Sequence, residues 1–478
     1  MKPALFAAVT MAIATAAVPA AGQDHVTRSF TVNGESEATA TVHAACGGCD
    51  WGVTGRESIA LRVSLDGKYS QHLQLVRGEA GADYRIFLGP VGKGPHRLVI
   101  DRDPALSAPG AGPATVELHD LAFLYPGRTS DYTALSMAPI LYARANTVGR
   151  FTDLPLLMWY EIVPTPRGHQ YRYSVIFSNE DGGTQTDRLM ATWGRTTDIE
   201  FVYGAEVDGS GRIVAEEFQG PGHEVPAFTG QHEGRHPLLW VSTDNNMVSE
   251  SGPTRIRYAL PPVKFDLTDA SREAVMDANP WTYAIASVEM RREGKIEDDP
   301  APGHNAIPDP RRFVYVDACA EVGNAALALS IGRGRSEPGS ATGSVRLSAS
   351  VPPDRSEATP RPSRSAPREG GPPDQELTWT PSDRGLRQYR IVRDGCFQAA
   401  TPLPPGTRAV DIRAIRVLAF ERPPAEGTAP AAPDPVVVTR INKVFMLDER
   451  FLPGPSILKW QGRATIRAGG DPFEVKVP

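Results

Sequence analysis

The stretch "SIALRVSLDGKYSQHLQLV", residues 58–76, alternates apolar and polar residues with a period of two. One side of an extended chain receives the apolar residues Ile59, Leu61, Val63 and Leu65. Asp66-Gly67 then supplies a tight turn before the alternation resumes at Leu73 and Leu75. This pattern predicts a β-hairpin with one buried face.

Similar short alternating runs continue on both sides of this hairpin, from Arg28 to Tyr125. Their apolar positions include Tyr84, Ile86, Leu88, Leu98, Ile100, Val116 and Leu118. Turn signals such as "GPVGKGPH" separate the runs. Short strands at this spacing predict an antiparallel β-sandwich over residues 24–127.

Residues 136–335 are predicted to form a central β-rich domain that is denser in aromatic residues. Four of the chain's seven tryptophans lie here, at Trp159, Trp193, Trp240 and Trp281. One helical insert is predicted after Asn279, which can cap a helix that starts at Pro280, and Gly294 can end it.

The composition changes again at residues 336–374, where Pro, Ser, Gly and charged residues predominate and predict a disordered linker. Alternating runs return at 375–478 and predict a C-terminal β domain. The expected fold class is therefore mostly β, with multidomain antiparallel β-sandwiches and a small helical insert in the central domain.

The first residues have the features of a secretory signal peptide at 1–20. Lys2 precedes an apolar run from Leu5 to Val18, which is followed by the small-residue site Val18-Pro19-Ala20. The run is shorter than the roughly 18–20 apolar residues that span a bilayer. We therefore expect a secreted or periplasmic protein without a membrane span.

Export favours disulfides for the cysteines Cys46, Cys49, Cys319 and Cys396. Four cysteines allow three pairings, and the sequence cannot choose among them. We favour the pairs Cys46–Cys49 and Cys319–Cys396. If the second bond forms, the linker is a long loop within one larger unit and does not separate two domains. A redox role for the Cys-x-x-Cys pair is the alternative, although its glycine-rich flanks resemble a loop between strands.

The charge balance argues against a nucleic-acid partner. The chain carries 50 Lys and Arg against 56 Asp and Glu, a formal net charge of −6 over 478 residues. Such a chain offers no general attraction for phosphate polymers.

The segment "HEGRH" at 232–236 matches the His-Glu-x-x-His pattern of zinc hydrolases, in which His232 and His236 bind Zn²⁺ and Glu233 acts as the base. That chemistry needs both histidines on one helical face, whereas Gly234 and Pro237 disfavour a helix. A zinc site in a loop that also uses His223 is one alternative, with Glu250 as a further candidate ligand, and a solvated polar loop is the other.

Two further oxygen-rich segments are candidate sites. Asn179, Asp181 and Asp187 surround Gly182-Gly183 and have the composition of a calcium loop, or of an ordinary β-turn. Asp198 and Glu200 are a candidate pair of carboxylates for glycoside hydrolysis.

A polar and aromatic ligand groove is predicted from Trp159, Trp193, Tyr203, Trp240 and Asp244, although buried tryptophans are more often core residues.

Part of the central region resembles the vacuolar protein sorting-associated protein 62 family and its bacterial relatives. The similarity covers about residues 137–245 and rests on the order of "MAPILYARANTVGRFTDLPLLMWYE", "YRYSVIFSNEDGG" and "TDIEFVY". The chain departs from the family's pattern by lacking a histidine before Asp198-Ile199-Glu200. The resemblance implies that 136–335 is the principal domain, and it transfers no catalytic residue.

Together these features predict an exported multidomain β protein that binds an extracellular ligand through its central domain, with glycan as the favoured ligand class. A secreted hydrolase, either zinc-dependent or carboxylate-based, is one alternative. A structural envelope protein is the other.

Overall fold

A computed structural model describes residues 24–127, 129–180, 182–334, 377–422 and 432–478. The predicted signal peptide and linker lie outside the described residues. Antiparallel sheets dominate the described chain, which confirms the mostly β fold class. The described residues divide into two compact units: unit 1 comprises those within 1–183, 197–266 and 285–294, and unit 2 comprises those within 184–196, 267–284 and 295–478.

The N-terminal strands of unit 1 form a β-sandwich. They are β1 (His25–Val32), β2 (Ser36–Cys46), β3 (Ala60–Leu65), β4 (Lys68–Gln74), β5 (Ala82–Val91), β6 (Gly94–Asp103) and β7 (Ala114–Leu124). One sheet has the order β1-β6-β3-β4 and the other the order β5-β2-β7. The hairpin predicted around Asp66-Gly67 is β3–β4. The apolar side of its first strand, Leu61 and Val63, is buried in a core that both sheets share.

The central part of unit 1 adds two more sheets. Its elements are α1 (Ser130–Ser136), β8 (Ile140–Tyr142), β9 (Pro155–Thr165), β10 (Gly168–Phe177), β11 (Ile199–Asp208), β12 (Ile213–Glu217), β13 (His232–Glu233), β14 (His236–Val241), β15 (Val248–Ser249), β16 (Arg257–Tyr258) and β17 (Val263–Lys264). The orders are β12-β11-β10-β9-β17 and β13-β14-β8-β16, with β15 beside β14. Their facing residues form one core, which also receives Phe87 from β5.

Unit 2 contains a second sandwich. Its strands are β18 (Phe313–Glu321), β19 (Ala325–Arg333), β20 (Thr378–Pro381), β21 (Gly395–Pro402), β22 (Ile412–Glu421), β23 (Val436–Phe445), β24 (Leu458–Ile466) and β25 (Phe473–Lys476). The two sheets have the orders β21-β18-β23-β24 and β20-β19-β22-β25. Strands β18 and β19, which the sequence placed at the end of the central domain, thus pair with strands beyond residue 377. Hydrophobic pattern alone cannot reveal this pairing, because it does not say which strands are neighbours.

Helices occupy three further segments. The predicted insert forms α4 (Trp281–Arg292), and Gly294 follows it with a left-handed φ of 69°. The short helix α3 (Ala274–Ala278) precedes α4. Helix α2 (Thr186–Trp193) belongs to unit 2. The left-handed Gly194 ends it, and its amide donates to Met190 O. No helix among the described residues is long and apolar enough to cross a membrane.

The structure contains the two favoured disulfides. Cys46 is bonded to Cys49 and Cys319 to Cys396. The second bond joins β18 to β21 at directly opposed positions across a sequence separation of 77 residues. It therefore ties the strands on the two sides of the predicted linker.

Candidate functional site

The His-Glu-x-x-His segment is a β-hairpin. His232 pairs with Pro237 and Glu233 with His236, and Gly234 adopts a φ of 65° in the turn between them. The helical geometry that zinc hydrolases require is thus not formed. The glycine and proline that disfavoured a helix in the sequence are the residues that build this turn and the strand after it.

The two histidines of the hairpin serve different contacts. His236 is fully buried, and its ring nitrogens contact Ala138 O at 2.8 Å and Glu37 Oε2 at 3.1 Å. His232 contacts Glu216 Oε1 at 2.8 Å. These contacts do not bring the two imidazoles to a common ligand position. His223, the third histidine in the prediction, contacts Gln219 at 3.3 Å.

Glu233, the candidate catalytic base, forms an ion pair. Arg257 Nη1 donates to Glu233 Oε2 at 2.5 Å and Nη2 approaches Oε1 at 3.4 Å. Burial alone would lower the pKa of Arg257, but the hydrogen bond and charge of Glu233 raise it. The pair stabilises the hairpin against β16, where Arg257 lies.

Two of the four aromatic residues of the predicted groove are fully buried. Trp159 and Tyr203 are 0% exposed and therefore offer no surface to a ligand. Trp240 is half-buried, stacked on Tyr142 with ring centroids 4.3 Å apart, and its Nε1 donates to Thr254 O. Trp193 belongs to α2 of unit 2, beneath the Arg393 guanidinium. The alternative interpretation, that tryptophans in strands are core residues, describes Trp159.

The candidate carboxylates Asp198 and Glu200 occupy the start of β11. Glu200 accepts a hydrogen bond from Gln219 Nε2. Asp198 is 2% exposed, and its Oδ2 accepts from Asn246 Nδ2 at 3.2 Å. Asp198 thereby joins a group of polar side chains at which several loops of unit 1 meet.

We call this group the loop-end cluster. It comprises Arg144, Asp153, Asn179, Asp198, Asp244 and Asn246. Arg144 and Asp153 flank the loop between β8 and β9, Asn179 follows β10, and Asp198 precedes β11. The turn between β14 and β15 contributes Asp244 and Asn246. The cluster therefore unites three residues that the sequence analysis had assigned to separate sites.

Asn246 binds three loops through one nitrogen. Its Nδ2 lies 3.3 Å from Asp153 Oδ1, 3.1 Å from Asn179 O and 3.2 Å from Asp198 Oδ2. Asn246 is fully buried and adopts a φ of 54°, a conformation that asparagine tolerates better than most residues. Asn179 in turn donates to Thr152 and Glu293, so the hydrogen bonds extend to α4.

Arg144 links the buried side of the cluster to its surface. Its side chain is 5% exposed and forms ion pairs with the buried Asp153 and with Asp244, whose side chain is 66% exposed. The backbone next to this ion pair is also close-packed: a Cβ at Gly182 would lie 2.9 Å from Asp244 Cβ. Asp244 is thus an exposed carboxylate held by a buried cation.

The predicted calcium loop is divided between the two units. Asn179 lies in unit 1, while Asp187 lies in unit 2, in the first turn of α2, where its Oδ2 accepts from Gly303 N at 2.7 Å. Asp181 lies outside the described residues. Gly194, at the C-terminus of α2, is the residue in the sequence that could have indicated this helix.

The sequence analysis missed Arg144 and Asn246. The signal for Asn246 was the polar run "STDNN" at 242–246 directly after a strand. Arg144 and Asp153 carry no comparable motif. Only the convergence of loops that lie up to about a hundred residues apart reveals their partners.

Comparison with known proteins adds little to this geometry. No protein-family model matches the chain, and no curated protein matches it. Among solved structures, the chain is similar to a GH2 β-galacturonidase from Eisenbergiella tayi bound to glycerol, at 12% identity and a TM-score of 0.13. That similarity covers 33% of this chain and 22% of the galacturonidase chain. At this TM-score the similarity supports no conclusion about fold or function.

Proposed function

We propose that the protein is an exported glycan-binding protein, and that Asp244 at the exposed edge of the loop-end cluster is its principal ligand-binding residue. The observation that carries the proposal is the chain of ion pairs from Asp153 through Arg144 to Asp244. A carboxylate that is fixed from behind loses little conformational freedom when it binds a ligand.

The chemistry of the exposed edge favours a ligand rich in hydroxyl groups. Asp244 is flanked by Thr243 and Asn245, whose side chains hydrogen-bond each other at 2.8 Å. Carboxylate and amide groups are acceptors and donors for sugar hydroxyls. The cluster holds three carboxylates against one guanidinium, so its charge disfavours an anionic ligand.

Binding is better supported than glycoside hydrolysis at this place. Asp153 and Asp198 are 3% and 2% exposed, and both receive hydrogen bonds from Asn246. A hydrolytic pair must contact the scissile bond from two sides. In this conformation a sugar reaches Asp244 but not the two buried carboxylates.

Export is supported by the two disulfides, because such bonds persist in oxidising compartments. It is also consistent with the predicted signal peptide. N-terminal sequencing of the secreted or periplasmic protein tests this part separately: a mature N-terminus near residue 21 is expected, and an intact Met1 in the cytoplasm contradicts it.

The binding proposal is tested with a glycan microarray, followed by calorimetric titration of the best ligand. The variant Asp244→Asn removes the exposed negative charge of the loop-end cluster. The matched control, Asp101→Asn, removes an exposed negative charge on β6. We expect a loss of affinity of about tenfold or more for Asp244→Asn only, since hydrogen bonds to a charged group contribute about 1.5–3 kcal/mol. Equal affinity in both variants contradicts the role of Asp244.

A further inference from the structure

A second group of side chains lies on the exposed face of the N-terminal sheet β5-β2-β7. His43 on the central strand β2 is directly opposite Asp83 on β5 and Glu117 on β7. The other face of these strands, with Val42, Ala44 and Val116, is buried in the sandwich core. The rigid core thus fixes the spacing of the three exposed positions.

A β-bulge adds a second histidine to this face. The register of β2 and β7 shifts between Thr41, which pairs with Asp120, and Val42, which pairs with Leu118. His119 is the extra residue of β7 at this shift, and its ring stacks on that of His43 with centroids 4.8 Å apart and planes 10° apart. Bulges of this kind redirect side chains and are frequent beside functional sites.

Both imidazoles face the same carboxylate oxygen. His43 Nδ1 lies 2.8 Å and His119 Nδ1 3.3 Å from Asp83 Oδ1, and His119 Nε2 lies 3.6 Å from Glu117 Oε2. One ligand atom from each of His43, Asp83 and His119 lies within 4.8 Å of the others. Tetrahedral zinc, bound at about 2.0–2.2 Å, holds its ligand atoms roughly 3.3–3.6 Å apart, so binding needs shifts of about 1 Å.

We propose that His43, His119 and Asp83 bind a divalent transition metal ion of the zinc type, with Glu117 or water as the fourth ligand. Two histidines and a carboxylate are a common zinc donor set. A divalent ion bound by the two neutral imidazoles would have its charge balanced by the carboxylates of Asp83 and Glu117, which already contact the histidines. The side chains are 42–58% exposed, so an ion can enter from solvent.

This site is independent of the loop-end cluster and of the His-Glu-x-x-His hairpin. The site could not be predicted from the sequence, because residues 43, 83 and 119 are separated by 40 and 36 positions and form no local motif. Only the pairing of β2 with both β5 and β7 brings them together.

The test is calorimetric titration of the metal-free protein with zinc chloride, repeated with cobalt chloride while visible absorption is recorded. We expect one high-affinity zinc ion per chain and the visible bands of Co²⁺ with nitrogen and oxygen ligands. The double variant His43→Gln/His119→Gln should lose zinc affinity by at least about tenfold. His25→Gln/His169→Gln, at two exposed histidines elsewhere, should not.

Asp83→Asn is the second variant, because it keeps the size of the side chain on an exposed strand. Thermal denaturation of wild type with and without zinc gives a readout that does not depend on a well-folded double variant. A zinc-dependent rise in Tm is expected for wild type and should be reduced by Asp83→Asn. No zinc binding by wild type, or unchanged binding by both His43→Gln/His119→Gln and Asp83→Asn, overturns the proposal.

Discussion

Trp51 Nε1 donates a hydrogen bond of 2.8 Å to Glu289 Oε2, and this contact joins the N-terminal sandwich to the part of α4 that belongs to unit 1. The two residues are separated by 238 positions in the sequence and are both buried. Arg292 supports the same contact, because its guanidinium lies over the Trp51 ring and donates to Trp51 O at 2.7 Å.

Burial raises the pKa of Glu289 to about 7, against the opposing effects of Arg292 and the Trp51 hydrogen bond. The folded state therefore binds more protons than the unfolded state between about pH 4.3 and pH 7, and stability falls as pH rises through that range. In wild type, the free energy of unfolding should fall by on the order of 3 kcal/mol between pH 5 and pH 8 because of Glu289. We expect Glu289→Gln to abolish this decrease. Urea unfolding at both pH values measures it, with Glu224→Gln, at an exposed glutamate, as the control. Parallel pH dependences for wild type and Glu289→Gln would be inconsistent with the raised pKa.

Removal of Arg144 tests the ion pairs of the loop-end cluster. Arg144→Met deprives the buried Asp153 of its cation, which should lower the free energy of unfolding by about 3–5 kcal/mol. Asp244→Asn, at an exposed carboxylate, should cost about 1 kcal/mol or less. Chemical denaturation of both variants gives the comparison. A cost for Arg144→Met as small as that for Asp244→Asn contradicts the buried ion pair.

Asp66 of the β3–β4 turn contacts His96 Nδ1 at 2.8 Å and the Arg97 amide at 2.8 Å. The Asp66 hydrogen bond raises the pKa of His96; burial raises the pKa of Asp66, but the bonds from His96 and Arg97 lower it overall. The His96 contribution to stability is complete below its unfolded pKa of about 6.5 and disappears as pH rises through its folded pKa. The Asp66 contribution is present above about pH 3.9 and disappears as pH falls through its folded pKa.

The pair therefore stabilises the turn most between about pH 4 and pH 6.5. An NMR titration of the His96 ring should give a pKa above the usual histidine value, and Asp66→Asn should lower it. Asp101→Asn on the same strand as His96 serves as the control. A His96 pKa that does not respond to Asp66→Asn refutes the assignment.

The two disulfides should contribute unequally to stability. Cys319–Cys396 closes a loop across 77 residues, whereas Cys46–Cys49 spans 3. Loss of a long-loop bond typically costs about 2–5 kcal/mol, and the entropic part grows with loop length. Replacement of each pair by alanine, followed by denaturant unfolding, should give the larger loss for Cys319→Ala/Cys396→Ala. The reverse order contradicts this expectation.

The sequence predicted local backbone structure better than it predicted which strands pair and which side chains contact each other. The turn at Asp66-Gly67, the end of α4 near Gly294 and the non-helical backbone at Gly234 all follow from the backbone preferences of glycine, proline and alternating residues. Strands β18 and β19 lie in the range 136–335, but their hydrophobic pattern did not indicate that they pair with strands beyond residue 377, because strand pairing depends on contacts between distant segments. Asp198 and Asp244 were identified singly, but Arg144, which belongs with Asp244, carries no local signal.

The buried aromatics illustrate the same limit. Trp159 and Tyr203 have the composition of a sugar-binding surface, and composition does not state which face of a strand is covered. In the structure both side chains are fully buried, Tyr203 in the core of unit 1. The proposed ligand surface therefore rests on loop residues such as Asp244 and not on these two aromatics.

The most direct test of the account is the titration of wild type, Asp244→Asn and Asp101→Asn with the glycan that the microarray ranks first. We expect saturable binding by wild type and Asp101→Asn, and a loss of affinity of about tenfold or more for Asp244→Asn. Absence of glycan binding by folded wild type, or equal affinities for all three proteins, would contradict it.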